Sequence, residues 1–213
     1  MRLSLERTTA GFGLAYVALF VSLLAFTTGG PDPTLQPAEE MARAVSEGTA
    51  MRASALLGFA AALAFAGFAV CLGLLLARAG NSFAAAMAAS GGVIYAAASV
   101  VSSAALVVAV EAANRDLGSG VFAAFGDLHT AALLLGLAPT GIVLLAASRA
   151  GLGRIVSWAG IVIGLGCIVA SGAVISQDFD RGPLGPAVVL WFLGLPLWLI
   201  AASIVLARRR EAN

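Results

Sequence analysis

The chain has 213 residues, of which 61% are hydrophobic and only 11% charged. Soluble domains are about 45–50% apolar and about 25% charged, so an ordinary soluble enzyme is excluded and the composition indicates a membrane protein. All 12 basic residues are arginine, and the absence of lysine excludes Schiff-base chemistry through that side chain. The single histidine, His129, excludes a haem held by two histidines of one chain.

Six uncharged apolar runs are long enough to cross a bilayer. A hydrocarbon core of about 30 Å needs about 20 helical residues. Helices are expected because an open sheet cannot satisfy its backbone in lipid, and the runs show no polar–apolar alternation. The sequence therefore predicts an all-α polytopic membrane bundle, a single domain over residues 1–213 with six transmembrane helices at about 10–28, 53–77, 83–110, 129–148, 155–175 and 187–207.

The first apolar run has two interpretations. Arg2 and Arg7 precede it, as basic residues precede the apolar part of a secretory signal peptide. The run is long, however, and the following Phe26-Thr27-Thr28-Gly29 lacks a small-x-small cleavage site. We therefore expect a retained first helix.

The charges separate to the two ends of the predicted bundle. Eight of the 12 arginines fall at the end that holds both termini, whereas nine of the 11 acidic residues fall at the other end. Because arginine is enriched on the cytoplasmic side of membrane proteins, this asymmetry predicts that the N-terminus and the C-terminus are both cytoplasmic. We expect a multi-pass membrane protein, with membrane lipid among its partners.

Two loops at the acidic end carry features of interest. Residues 29–52 form the longest connection, and Pro37–Arg43 within it reads as a short helix with proline in its first turn. That helix is interpreted either as an interfacial cap or as a substrate lid. In the last loop, the alternating Asp178 and Asp180 suggest calcium, but the loop lacks the full EF-hand spacing, so we expect a solvated turn.

No ionisable residue lies in the middle of a predicted span, which argues against an ion-coupled transporter. The candidate polar site therefore lies at the outer face. Glu111 and Arg115 are spaced i,i+4 and can pair. Asp127 and His129 open the fourth span, and they lie about 9–12 Å below its outer end if that helix begins nearer Val121.

The outer polar site has two interpretations. An acid and an imidazole can form a proton relay or half of a metal site, with Glu111, Asp178 or Asp180 as further ligands. The alternative is ordinary solvation of a helix end, with Asp127 as its cap. We expect the second and predict no metal and no cofactor.

Small residues, serines and prolines shape the spans. Gly160 and Gly164 form a GxxxG pattern, which lets a neighbouring helix approach closely. Ser99 and Ser103 serve either packing or a polar path towards Glu111. The prolines Pro139 and Pro196 lie within the fourth and sixth spans and are expected to kink them.

Motifs of soluble chemistry are missing from the sequence. No glycine-rich phosphate loop, GxSxG or HExxH pattern occurs, and basic residues do not alternate with aromatic ones. Cys71 and Cys167 lie in apolar runs without CxxC spacing, so we expect buried side chains rather than a redox pair. We assign no catalytic residue and no nucleic-acid partner.

Three segments give the chain a resemblance to a known group. They are residues 29–40, the hairpin 149–160 with its Trp158-Ala159-Gly160, and residues 194–198 in the last span. The chain resembles uncharacterised bacterial integral membrane proteins of about 200 residues that are grouped as a domain of unknown function, although Gly153 stands where that hairpin motif has proline. The resemblance implies six spans and residence in the inner membrane, and it brings no established catalytic residues.

Three functions fit these observations. The first is a compact membrane protein that acts by binding or assembly, either as a homo-oligomer or with another membrane protein. The second is a small-solute transporter or channel with Glu111, Asp127 and His129 at its outer mouth. The third is a membrane-embedded enzyme that uses the same residues. We expect the first.

Overall fold

The computed structural model describes residues 4–26, 36–172, 174 and 185–209. Six stretches within these ranges are long and apolar enough to cross a membrane. The predicted all-helical membrane bundle is therefore confirmed. In chain order the helices are α1 (Leu5–Phe26), α2 (Pro37–Arg78), α3 (Ser82–Asn114), α4 (Ser119–Leu135), α5 (Leu137–Ala147), α6 (Arg154–Ser171) and α7 (Gly185–Arg208), with α4 and α5 together forming the fourth span.

The six spans form a closed ring. Each packs against its neighbour in the chain, and α7 returns to pack against α1. Aromatic side chains from α1, α2, α3 and α7 fill the interior. The buried ring of Phe65 has its centroid 5.6 Å from that of Tyr16 and 4.9 Å from that of Tyr95, and Phe68 lies 6.1 Å from Trp198. The centre of the bundle is therefore occupied by side chains.

Tight turns join the spans at one end of the bundle, which we call the basic end because Arg7, Arg78, Arg149, Arg154 and Arg208 lie there. After α2 the chain turns at Gly80, whose φ of +80° favours glycine. The Asn81 side chain then accepts a hydrogen bond from the Ala84 amide and caps α3. The opposite end, with Glu39, Glu40, Glu47, Glu111, Asp116 and Asp127, is called the acidic end.

Close helix contact occurs where glycines meet. A Cβ at Gly141 of α5 would overlap the carbonyl oxygen of Gly164 of α6, and one at Gly164 would lie 2.9 Å from the carbonyl oxygen of Gly141. A Cβ at Gly160 would lie 2.8 Å from Nε1 of Trp198, which donates a hydrogen bond to the Val156 carbonyl at 2.8 Å. Thus Gly164 lets α5 approach, and Gly160 makes room for a side chain of α7.

The fourth span is interrupted near a proline. Helix α4 ends at Leu135, Gly136 is a turn, and α5 begins at Leu137. Pro139 has no N–H to donate to the carbonyl of Leu135, and its ring crowds that carbonyl, which explains an interruption one turn earlier. Helix α7, by contrast, stays helical through Pro196.

The expected short helix at Pro37–Arg43 is wrong as a separate element. It forms the first turns of α2, a continuous helix of 42 residues from Pro37 to Arg78. The Gln36 amide donates to the Glu39 carboxylate at 3.1 Å, which supports the helix start. No proline separates these turns from the apolar run, so the charged residues extend the helix instead of ending it.

Three helices extend past the described ends of the other helices at the acidic end. In α2, Gly58 faces Leu23, close to the described end of α1. Residues 37–52, about 24 Å of helix at 1.5 Å per residue, lie beyond that level. Residues 37–52, 104–114 and 119–128 together form what we call the projection. A small apolar cluster of its own holds it together, composed of Ala44, Ala109, Ala113 and Phe122 with Met41, Met51 and Phe125 against it.

Candidate functional site

Glu111 lies at the acidic end between two arginines. Its carboxylate accepts a hydrogen bond from Arg52 of α2 at 2.8 Å and pairs with Arg115 of its own helix at 2.9 Å. All three side chains are partly exposed, and such pairs contribute only about 0–1 kcal/mol each. The carboxylate is therefore engaged in joining α2 to α3. Arg52 is the partner that the sequence does not reveal.

His129 of α4 is hydrogen-bonded to Ser102 of α3. The Ser102 hydroxyl donates to the carbonyl of His129 at 3.0 Å, and Nδ1 of the imidazole lies 2.9 Å from both the hydroxyl and the carbonyl oxygen of Ser102. When Nδ1 carries the ring proton, it donates to the Ser102 carbonyl while the Ser102 hydroxyl donates to the His129 carbonyl, so both donors have an acceptor. That arrangement leaves Nε2 as the nitrogen with a free lone pair. Ser99 and Ser102 are both buried and Ser103 is half-buried; Ser102 is the serine that is bonded to His129.

Asp127 is not a helix cap, because α4 begins at Ser119 rather than at 129. Asp127 and His129 lie about 12 and 15 Å along α4 from its start, at 1.5 Å per residue. This is close to the depth expected for a helix that begins near Val121. The Asp127 side chain is exposed and forms no ion pair within the described ranges.

The four predicted site residues do not form one cluster. The partner of His129 is Ser102, which precedes Glu111 by nine residues, about 13 Å along α3. Among the residues that the structure describes, no three His, Cys, Asp or Glu side chains are grouped so that they could hold a metal ion. The further ligands considered from the sequence, Asp178 and Asp180, lie outside the described residues. The site thus consists of two separate polar contacts between α3 and its neighbours.

A comparison with protein-family models matches residues 12–202 to one family, described as Domain of unknown function (DUF4386). The chain belongs to the DUF4386 family. The resemblance to an uncharacterised family is thereby confirmed over most of the chain. Searches of curated proteins and of solved structures return no match.

Proposed function

We propose that this DUF4386 protein acts by binding and assembly, and that α4 pairs with α4 of a second copy. The supporting observation is an apolar stripe on the side of α4 that faces away from α3. Its residues are spaced alternately by three and four positions, as the a and d positions of a coiled coil are. They are Val121, Ala124, Leu128, Ala131 and Leu135, all at least partly exposed.

The stripe extends past the membrane into water. Asp127 is exposed, and an exposed carboxylate does not lie in hydrocarbon, so the bilayer ends at or below its level. Val121 and Ala124 therefore lie outside the lipid, where exposed apolar surface is costly and favours a partner. Leu135 lies within the membrane. A partner for the whole stripe must be embedded in the membrane and also protrude from it, as a second copy of this chain does.

We further propose the orientation and the compartment. The basic end faces the cytoplasm of a bacterial cell, with both termini there, and the projection lies outside the inner membrane. The arginines of the basic end support this through the positive-inside tendency. The part of the stripe outside the lipid, with Val121 and Ala124, then lies on the periplasmic side, where it is accessible to partners and to reagents.

Cysteine crosslinking tests the proposed pairing. The native Cys71 and Cys167 are free thiols, so both are first changed to alanine. With Val121→Cys or Leu128→Cys added, mild oxidation of native membranes is expected to give a disulfide-linked dimer, because a and d positions face their equivalents across a two-fold axis. Val162→Cys, on an exposed position of α6, is the matched control and is expected to stay monomeric.

Each outcome of the crosslinking bears on the proposal. A dimer from the α4 positions alone supports self-assembly, whereas an adduct with a different membrane protein supports binding without self-assembly. Absence of any adduct at positions 121 and 128 contradicts pairing through α4. Labelling of Val121→Cys in intact cells by a membrane-impermeant maleimide is the expected result for the proposed orientation.

The second candidate function is proton or small-solute movement, and the Ser102–His129 contact favours it. An imidazole with one free nitrogen, held between two helices near the end of the spans, is a group that can pass a proton. If it does so, the proton flux of proteoliposomes with His129→Ala is expected to be at least ten-fold lower than that of the wild type. Asp127→Asn tests the neighbouring carboxylate. Equal flux in wild type, variants and empty liposomes would contradict this candidate.

A further inference from the structure

A pocket lies at the basic end, between the end of α5 and the first two turns of α6. Its volume is about 310 Å³, and it is lined by Ser148, Arg149, Arg154, Ser157, Trp158 and Ile161. In the sequence, Arg149 and Arg154 indicate only which end of the bundle is basic. In the structure, two guanidinium groups, two hydroxyl groups and an indole border one space.

The two arginines of the pocket lack a carboxylate partner in the described part of the chain. The ion pairs that join Glu40 to Arg43, and Glu111 to Arg52 and Arg115, lie at the acidic end. Both arginine side chains are exposed, and neither donates a hydrogen bond to a described residue. Two unneutralised guanidinium groups at one pocket form a site suited to an anion, and guanidinium groups pair especially well with phosphate.

The turn that carries both arginines is held firmly in place. Gly151 and Gly153 take φ values of +65° and +88°, which other residues rarely adopt. Between them the Leu152 side chain is only 1% exposed and anchors the turn in the core. Directly after α7, the Arg209 guanidinium donates to the carbonyls of Ala150, at 2.7 Å, and Gly151. The pocket is therefore built on a fixed backbone.

The start of α6 adds hydrogen-bond donors to the same pocket. The backbone hydrogen bonds of α6 begin at Ser157, whose amide donates to the Gly153 carbonyl at 3.0 Å. Gly153, the residue before α6, has no side chain that could cap the amides of residues 154–156. Uncapped amides and the positive end of the helix dipole favour an anion beside the two arginines.

An apolar stripe leads from the pocket along α6. Ile155, Trp158, Val162, Leu165 and Val169 are spaced by three or four residues and are all more than half exposed. Trp158 belongs both to the pocket and to the stripe. Tryptophan is common at the level of lipid headgroups. A ligand with a phosphate and an acyl chain contacts both features, whereas a free phosphate contacts only the first.

We propose that this pocket binds the phosphate group of an anionic membrane lipid, with an acyl chain lying along the α6 stripe. Basic pockets between transmembrane helices are known to bind anionic headgroups. Arg149 and Arg154 neutralise the phosphate, and the Ser157 hydroxyl donates a hydrogen bond to it. The Ser148 hydroxyl already donates to the Leu145 carbonyl at 2.7 Å, so Ser148 borders the pocket without serving as a donor. Trp158 packs against the glycerol region. The site is independent of the proposed pairing of α4.

Native mass spectrometry of the full-length protein with added phosphatidylglycerol or phosphatidylcholine tests the site. The wild type is expected to prefer phosphatidylglycerol. In Arg149→Gln/Arg154→Gln its affinity is expected to fall about 30-fold, from about 1 kcal/mol per arginine. The control Arg7→Gln/Arg78→Gln removes equal charge from the basic end on α1 and α2, outside the pocket, and is expected to change the affinity less than three-fold.

Three results would overturn the proposal. These are no preference of the wild type for phosphatidylglycerol, an equal loss in both double variants, and displacement of the lipid by an equal concentration of inorganic phosphate. The last would identify a free anion as the ligand. A second measurement needs no variant: brominated phosphatidylglycerol in vesicles is expected to quench tryptophan fluorescence more than brominated phosphatidylcholine, since Trp158 is 59% exposed at the pocket. Equal quenching would contradict the site.

Discussion

Alanine at position 141 is expected to destabilise the bundle by about 3 kcal/mol, a large effect for one methyl group. The added Cβ would overlap the backbone carbonyl of Gly164 and lie 2.8 Å from Cγ1 of Ile168. A backbone oxygen cannot rotate away as a side chain can, so α5 and α6 would have to separate. Gly164→Ala is expected to act in the same direction, because its Cβ would lie 2.9 Å from the carbonyl oxygen of Gly141.

The matched control is Gly11→Ala in α1. A Cβ there meets no atom within 4 Å, and alanine favours a helix over glycine by up to about 1 kcal/mol. The free energy of unfolding is measured for each variant by titration from mild detergent into denaturing detergent, followed by circular dichroism. If Gly141→Ala proved as stable as Gly11→Ala, the close approach of α5 and α6 would be wrong.

The glycine contacts indicate how far the sequence alone can lead. The GxxxG pattern at Gly160 and Gly164 marks a narrow helix surface from local spacing. It does not say which helix uses that surface, because the contact with Gly141 depends on the order of helices around the ring. The pattern also does not indicate that Gly160 makes room for the side chain of Trp198, because Trp198 is 38 residues further along the chain.

The six spans were predictable because a bilayer imposes a minimum length of apolar sequence. The residues at which helices begin or end on the acidic side could not be predicted in this way. A search for uncharged runs stops at Arg52 and at Asp127, but a helix in water tolerates charges, so α2 continues back to Pro37 and α4 to Ser119. Most of the projection is made of residues that such a search excludes; only residues 104–110 belong to a predicted span.

The polar contacts also differ in how far the sequence predicts them: contacts within one helix are visible in it, and contacts between helices are not. The pair between Glu111 and Arg115 is local, four residues apart on one helix, and its spacing is visible in the sequence. Arg52 is 59 residues from Glu111, and Ser102 is 27 residues from His129. These contacts depend on the register between antiparallel helices, which side-chain packing along their whole length determines.

Truncation of Phe65 to alanine is expected to lower the free energy of unfolding by about 3–5 kcal/mol, the largest effect of a single truncation at the centre of the helix bundle. The phenyl ring is fully buried among Tyr16, Phe68 and Tyr95, at centroid distances of 5.6, 6.3 and 4.9 Å. Its loss removes dispersion contacts that join α2 to α1 and to α3. Phe83→Ala is the matched control, because that ring is 76% exposed, and it is expected to change stability by less than about 0.5 kcal/mol.

The same pair of variants separates the two candidate functions. If the protein acts by binding, the aromatic centre is only a core, and folded Phe65→Ala in proteoliposomes is expected to be less stable yet no more permeable to protons than Phe83→Ala. If the protein moves protons or solutes, the rings of Phe65 and Tyr95 close a path, and truncation would open it. A proton leak confined to Phe65→Ala would therefore favour transport, whatever crosslinking reports for α4.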